Sequence, residues 1–355
     1  MGMRLVALWC VASASAERLK WTFRPNATLP CESSVAVRGR DVFVADAASV
    51  YRLDGASGGL VWRAAAPNDA DGSFSPSVAA RRGGAVVVVP TVSSLRAFDA
   101  DSGAELWSVP APEGLPLDGC ASFLSDGSVA FATGSWGDDA NGGVVAVDAA
   151  TGAARWRFDV PRSEPTRSTR GIWAKPLVFN DTTVVVGDFG GRLWALDAAT
   201  GRARWSFQEK RDPTGLYGDE IWAPVAVTPR NESVFTSNLG WIRKLDPASG
   251  AELVADAWPV APARRANDSA SPLAGDPIVF SAPLVDAAGT VYVAAENWCV
   301  YAFAADGTAA WRNCDFCSWG SAQGRTRVIQ RRFNVSVPRA PVLEKASTLR
   351  DRSER

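Results

Sequence analysis

A nine-residue motif recurs along this chain of 355 residues and constrains its fold more than any other feature of the sequence. Each copy runs from Asp through Ser or Thr and Gly to Trp, and the clearest copy extends from Asp197 to Trp205. Four further copies begin at Asp54, Asp99, Asp148 and Asp246. The copy at Asp246 has Val254 where Trp is due, and a sixth copy, from Ala305 to Trp311, is one residue shorter. The chain is therefore a repeat protein.

Each copy of the motif predicts a β-hairpin. The residues before the Asp alternate in character, as in Leu193 to Leu196, and this is the period of a half-buried strand. After the Gly the chain enters a second short strand that carries the Trp. An Asp side chain accepts hydrogen bonds from backbone N–H groups just downstream, and Gly adopts positive φ, so the segment between the strands is a tight reversal.

Two more strands precede each hairpin and complete the repeat. A Val-rich run such as Thr183 to Val186 lies immediately upstream, and a strand opening on Pro, such as Pro176 to Val178, lies before it. The Asp anchors are separated by 45, 49, 49 and 49 residues, a period that fits four short strands with their turns. We therefore predict an all-β propeller, a ring of four-stranded blades that leaves only short sheet edges.

The segment from Val184 to Trp205 resembles the repeat of the pyrroloquinoline-quinone (PQQ)-type β-propellers. The resemblance extends from about Trp21 to Trp311. It implies that Trp residues dock between neighbouring blades. It also implies one of two kinds of function, because the family includes quinone-dependent alcohol dehydrogenases and catalytically inert binding or assembly scaffolds.

The chain termini are expected to share one blade. The segment Lys20 to Phe23 matches the fourth strand Arg204 to Phe207, and residues 317–337 would supply the inner strands that this N-terminal strand lacks. This arrangement predicts seven blades, with six and eight as the alternatives. We assign the propeller domain to residues 17–337 and a charged, disordered tail to residues 338–355.

The start of the chain and its composition predict a secreted or endoplasmic-reticulum lumenal monomer. Residues 1–16 have the charge, apolar run and small-residue end of a signal peptide, and no later run is apolar enough to span a bilayer. Glycosylation sequons occur at Asn26, Asn180, Asn231, Asn267 and Asn334. A net charge of −1 gives no indication of a nucleic-acid partner, and the absence of His excludes His-based triads and metal ligands.

The two ends of the ring differ in their loops. We call the end with the Asp turns and the first-to-second strand turns the turn face, and the opposite end the crossover face. Long, varied segments, such as residues 159–171 and 208–220, fall on the crossover face. Because binding sites are usually built from variable loops on a rigid frame, we expect a protein, small-molecule or glycan ligand there.

Two similar segments, residues 171–176 and 220–224, precede innermost strands and are expected at the rim of the central channel. In the quinone-dependent enzymes of the family that this chain resembles, the rim holds the quinone on an aromatic ring with Arg or Lys, beside a Ca²⁺ bound by oxygen ligands. The matching residue types are Arg170, Trp173, Lys175 and Trp222 for the quinone, and Asp219 and Glu220 for the metal. The competing interpretation, which we favour, is a strand-entry motif that packs the channel.

Departures from the enzymes favour a scaffold without catalytic activity or cofactor. No two Cys are adjacent, so the disulfide that flanks the quinone in the enzymes has no counterpart. The segment Asp138 to Gly142 offers oxygen ligands for Ca²⁺, but we interpret it as a solvated turn. The alternative function is a PQQ- and Ca²⁺-dependent oxidoreductase that acts on an alcohol or a sugar.

The hairpin centred on Asp306 and Gly307 places Cys299 opposite Cys314, so we predict a disulfide between them. A second disulfide, Cys31–Cys317, would join the first and last blades and leave Cys120 unpaired. The rival pairing is a local Cys314–Cys317 bond, with Cys31 joined to Cys120.

Overall fold

In the residues that it describes, the computed structural model contains six four-stranded antiparallel sheets, which we number as blades 1 to 6. The residues it describes are 20–25, 35–46, 48–67, 79–80, 85–91, 93–112, 117, 121–134, 142–161, 171–172, 174–209, 221, 225–228, 232–236, 241–253, 258–259, 283–294 and 300–313. Within these ranges all regular elements are strands, and no helix is long and apolar enough to cross a membrane.

The blades follow one another along the chain. Blades 1 to 3 contain β1 (Ala36–Arg38), β2 (Asp41–Ala45), β3 (Ser49–Asp54), β4 (Leu60–Ala65), β5 (Ala79–Ala80), β6 (Val86–Pro90), β7 (Ser94–Asp99), β8 (Glu105–Pro110), β9 (Ala121–Phe123), β10 (Ser128–Thr133), β11 (Gly143–Asp148) and β12 (Ala154–Asp159). Blades 4 to 6 contain β13 (Leu177–Phe179), β14 (Thr183–Gly187), β15 (Arg192–Asp197), β16 (Ala203–Gln208), β17 (Ala226–Val227), β18 (Ser233–Thr236), β19 (Trp241–Leu245), β20 (Trp258–Pro259), β21 (Leu284–Val285), β22 (Val291–Ala294), β23 (Val300–Phe303) and β24 (Ala309–Asn313).

Each blade is a simple meander in which consecutive strands pair, as the sequence predicts. In blade 4, Thr183 of β14 pairs with Asp197 of β15. Most of the second strands are buried on both faces, which explains their unbroken Val-rich sequences. The first strands are short, and β13 and β21 begin directly after Pro176 and Pro283, because Pro cannot donate a ladder hydrogen bond.

The Asp of each motif holds the third turn of its blade. In blade 4, Asp197 Oδ1 accepts hydrogen bonds from the Ala199 and Thr200 N–H groups at 3.1 and 2.9 Å, and from the Thr200 hydroxyl at 2.8 Å. The Arg204 guanidinium, together with these donors, lowers the pKa of Asp197 to about 2. Gly201 completes the reversal with φ of 70°, which is the left-handed region that Gly tolerates.

In blades 1 to 4 the motif Trp joins the blade to the next one. Its indole N–H donates to the carbonyl of the residue that follows the next Asp, and the distances are 3.1 Å for Trp62 to Ala100, 3.0 Å for Trp107 to Ala149, 2.8 Å for Trp156 to Ala198 and 3.0 Å for Trp205 to Pro247. The ring also covers the turn Gly, since a β-carbon on Gly201 would lie only 2.4 Å from the Trp156 ring. The Trp of one repeat and the Asp–Gly turn of the next repeat therefore form a single inter-blade joint.

Trp21 makes the same joint from the N-terminal segment. Its indole N–H donates to Gly55 O at 3.1 Å, and the ring covers Gly58. Exposure alternates along Lys20 to Phe23 as in a fourth strand, although no strand partner for this segment lies within the part of the chain that the structure describes. Trp21 thus takes the place of a fourth-strand Trp from a further blade, which agrees with about seven blades closed by the N-terminal segment.

Several predictions fall on residues that the structure does not describe. These are the signal peptide (residues 1–16), the tail (338–355), the closing segment (317–337), all six Cys and the sequons other than Asn180. The pairing of Val300 with Asn313 is the register that would place Cys299 opposite Cys314. Both proposed disulfides stay predictions.

Candidate functional site

The crossover face is built on a set of buried polar residues, one at the end of each second strand in blades 1 to 4. Strand registers place these residues at equivalent positions, and they are Asp46, Thr91, Thr133 and Asp188. Each is at most 2% exposed. Asp46 accepts the N–H groups of Ala48 and Ser49, and Thr91 exchanges hydrogen bonds with Ser94. The side chains of Asp46, Thr91 and Asp188 thus fix the second-to-third turns of their own blades, whereas the buried Thr133 hydroxyl has no hydrogen-bond partner among the described residues.

The segments that enter the innermost strands are bonded to this polar set. Ile172 N–H donates to Thr133 O of the preceding blade at 3.3 Å, and Ile221 N–H donates to Asp188 O at 3.0 Å. The fit around Ile221 is tight, since a β-carbon on Gly187 would lie 2.3 Å from that side chain. The two similar segments found in the sequence are therefore equivalent strand entries, and both are anchored to the preceding blade.

Asp188 is the central residue of this arrangement in blade 4. Its Oδ1 accepts the Arg192 N–H at 2.8 Å, and its Oδ2 accepts the Trp194 indole N–H at 2.7 Å. Burial raises the pKa of Asp188 to about 6, against the opposing effect of these hydrogen bonds and of the Arg192 charge. The same residue therefore holds a turn with its side chain and a strand entry with its carbonyl.

Replacing Asp188 with Asn should flatten the dependence of stability on pH between about 4 and 6. The folded-state pKa is raised to about 6 from the ordinary value of 3.8, so the favourable contribution is complete below 3.8 and is lost as pH rises through 6. The wild-type free energy of unfolding should fall by up to about 1.4 kcal/mol per pH unit in this window from this residue. Urea unfolding at closely spaced pH values measures the slope, and equal slopes in both proteins would contradict the assignment.

A buried ion pair joins blades 4 and 5 close to this turn. Glu209, just after β16, has a fully buried side chain, and Arg243 of β19 is only 4% exposed. The guanidinium Nε and Nη2 donate to Glu209 Oε1 at 2.9 and 2.5 Å, and Nη1 donates to Glu252 at 2.8 Å. These two carboxylates outweigh the effect of burial and raise the pKa of Arg243. The arrangement stabilises the frame beneath the crossover between these blades.

The predicted quinone and metal residues are only partly placed. Lys175 is exposed just before β13, whereas Arg170, Trp173, Trp222, Asp219 and Glu220 lie outside the described residues. Among the described residues of the innermost strands, Arg38 of β1 is the only charged one. It is the last residue of its strand and therefore lies at the turn face. No group of three or more His, Cys, Asp or Glu residues in the described ranges could hold a metal ion. The predicted quinone and Ca²⁺ site therefore stays a prediction.

Asn180 is the sequon residue that the structure places. It lies exposed in the turn between β13 and β14, with φ of 47°, and Asp181 and Thr182 beside it are also exposed. A glycan there would extend into solvent from the turn face. We expect Asn180 to be glycosylated in a eukaryotic host and the modification to disappear in Thr182→Ala. Glycopeptide mapping that finds Asn180 unmodified in the secreted protein would contradict this expectation.

Comparisons with known proteins agree with this architecture. The family model described as outer membrane protein assembly factor BamB matches residues 8–135 and 92–313. BamB from Moraxella catarrhalis is 21% identical, with a TM-score of 0.61 over 81% of this chain and 77% of that one. A europium-containing methanol dehydrogenase is 14% identical, with a TM-score of 0.63 over 83% of this chain and 73% of that one.

Quinohemoprotein alcohol dehydrogenase from Comamonas testosteroni is 16% identical, with a TM-score of 0.59, and the match covers 80% of this chain but only 61% of that enzyme. No curated protein matches the chain. At these identities the likeness to solved structures concerns the fold alone. Since the matching family model spans most of the sequence, this protein belongs to the outer membrane protein assembly factor BamB family of PQQ-like repeat β-propellers.

Proposed function

We propose that this protein is a non-catalytic binding or assembly scaffold that works in a secretory lumen or outside the cell, with its partner bound on the crossover face. The observation that carries the proposal is that the buried charged side chains form structural hydrogen bonds and ion pairs. Asp188 holds a turn, Glu209 pairs with Arg243 across two blades, and Lys244 pairs with Glu232. These groups stabilise the frame and leave no buried acid or base of this set available for catalysis.

The loop lengths support the choice of the crossover face. Residues 160–176 connect blades 3 and 4, residues 209–225 connect blades 4 and 5, and residues 260–283 connect blades 5 and 6. The third turn of blade 1, by comparison, contains residues 55–59 only. Ile172 and Ile221 tie two of these connections to the rigid frame. Long connections on a fixed frame are suited to contact with another protein, as the name of the matching family model suggests.

Site-specific photo-crosslinking within one blade tests the proposal. A photoreactive amino acid is placed either at position 175, on the crossover face, or at position 199, on the turn face. Lys175 and Ala199 are both exposed. We expect a discrete crosslinked protein from position 175 in the secretory pathway of a eukaryotic host, and none from position 199. Crosslinks from position 199 alone would contradict the proposed face.

The captured partner should then be tested by affinity. Lys175→Glu should weaken its binding at least about tenfold, because it reverses the charge of an exposed side chain on the crossover face. Ala199→Glu on the turn face is the matched control and should leave binding unchanged. The alternative function, a PQQ- and Ca²⁺-dependent oxidoreductase acting on an alcohol or a sugar, predicts instead that the purified protein reduces an electron acceptor once it is supplied with quinone, Ca²⁺ and substrate.

A further inference from the structure

The joint between blades 5 and 6 departs from the other described joints. In blade 4, Leu193 pairs with Phe207 and Leu196 pairs with Ala203. In blade 5 the equivalent residues are Ile242, which pairs with Trp258, and Leu245, which forms a bridge to Glu252. Between these two pairings the chain of blade 5 is therefore two residues longer than that of blade 4.

The receiving turn on blade 6 has changed as well. Ala304 N–H donates to Thr308 O, one residue closer along the chain than the Asp197 N–H to Arg202 O bond of blade 4. Gly307 N–H donates to Ala304 O, as Gly201 does to Asp197 O, so Ala305 is the counterpart of Ala198, which accepts the Trp156 indole. Both halves of the indole joint are thus altered at the same junction.

A lysine ammonium occupies the position of the indole N–H. Lys244 Nζ of β19 donates to Ala305 O at 2.6 Å and forms an ion pair with Glu232 at 2.7 Å. The Lys244 side chain is 5% exposed and that of Glu232 is 22% exposed. The Ala305 carbonyl therefore accepts its hydrogen bond from an ammonium on the third strand of blade 5, whereas the corresponding carbonyls of the other described joints accept from an indole on the fourth strand.

This exchange alters the free energy of separating the two blades. Opening an indole joint exposes a large apolar ring to water, which is unfavourable. Opening the lysine joint breaks the hydrogen bond from the Lys244 ammonium to Ala305 O, whereas the ion pair with Glu232 lies within blade 5 and is kept, and water can then hydrate both charges. We propose that the joint between blades 5 and 6 opens before the other inter-blade joints that the structure describes, and that it acts as a hinge. The hinge depends only on contacts between blades, so it does not depend on the proposed scaffold function.

Hydrogen exchange measured by mass spectrometry tests the hinge. In the wild-type protein the amide hydrogens of β19 and β23 should exchange at least about tenfold faster than those of β11 and β14, because each set reports the local opening free energy. Lys244→Met should accelerate exchange in β19 and β23 at least about tenfold more, since it removes a hydrogen bond from a charged donor. Blade 3 should be unaffected.

Arg204→Met provides the matched control. It removes the ion pair between Arg204 and Asp197, in which the Arg204 side chain is 39% exposed. Blade 4 keeps the Trp205 joint to blade 5, so the variant should leave the exchange pattern unchanged. The hinge is wrong if β19 and β23 exchange no faster than β11 and β14 in the wild type, or if Lys244→Met accelerates all blades equally. The wild-type comparison decides the matter even if Lys244→Met does not fold.

Discussion

Replacing Arg243 with Met should lower the free energy of unfolding by about 3–5 kcal/mol, because the change removes the guanidinium that pairs with the buried Glu209 carboxylate. The Glu209 side chain is fully buried and receives two of its bonds from this one guanidinium at 2.9 and 2.5 Å. Met retains most of the length and apolar contact of the arginine stem, so the loss reports the charge. Urea unfolding followed by tryptophan fluorescence measures it.

The preceding inter-blade junction supplies the control for this prediction. Strand register places Val160 and Trp194 at the positions of Glu209 and Arg243, and both belong to one apolar cluster. The double variant Glu209→Val with Arg243→Trp copies that cluster, and it should recover most of the stability lost in Arg243→Met, since a packed apolar pair can replace a buried ion pair. A loss below about 1 kcal/mol in Arg243→Met would contradict the buried pair.

Trp62→Ala should also reduce the free energy of unfolding by about 3–5 kcal/mol. Trp62 lies in the buried cluster between blades 1 and 2, with its ring centroid 6.0 Å from that of Phe43, and its N–H donates to Ala100 O. The truncation removes the ring that covers Gly103 and leaves a buried carbonyl without its donor. Thermal and urea unfolding both measure the change.

Trp62→Phe separates packing from hydrogen bonding at this joint. Phe keeps an aromatic ring but cannot donate to Ala100 O, so we expect a smaller loss of about 1–3 kcal/mol. Equal stabilities for the Ala and Phe variants would show that the ring contributes little and would contradict the account of the joint. The other motif Trp residues should behave in the same way at their own junctions.

Much of the frame follows from the sequence because its signals are local. The order of Asp, Gly and Trp at Asp197, Gly201 and Trp205 sets a turn through short-range hydrogen bonds, and the Val-rich runs identify buried strands. The period between Asp anchors then fixes four strands per blade. Closure is harder to predict, because the N-terminal segment around Trp21 is far along the chain from residues 317–337, which we predict to supply its inner strands.

The buried charges could have been found by comparing repeats, but not from any single segment. Arg243 stands where other repeats have Tyr51 or Trp194, and Glu209 stands where they have Ala66 or Val160. Two charges at neighbouring positions that other repeats fill with aromatic or aliphatic groups indicate a pair. The channel rim gives no comparable signal, because Trp173 and Trp222 suit both a strand entry and a quinone site, and the raised pKa of Asp188 depends on burial that only the fold creates.

Titration of the purified protein with pyrroloquinoline quinone and Ca²⁺, followed by an assay of dye reduction with alcohols and sugars, is the most direct test of the proposed function. Tryptophan fluorescence reports binding, because the chain contains 15 Trp. The scaffold account predicts no saturable quinone binding and no substrate-dependent reduction of the dye. One-to-one, Ca²⁺-dependent binding that is lost in Trp173→Ala or Trp222→Ala, together with substrate-dependent dye reduction, would contradict it.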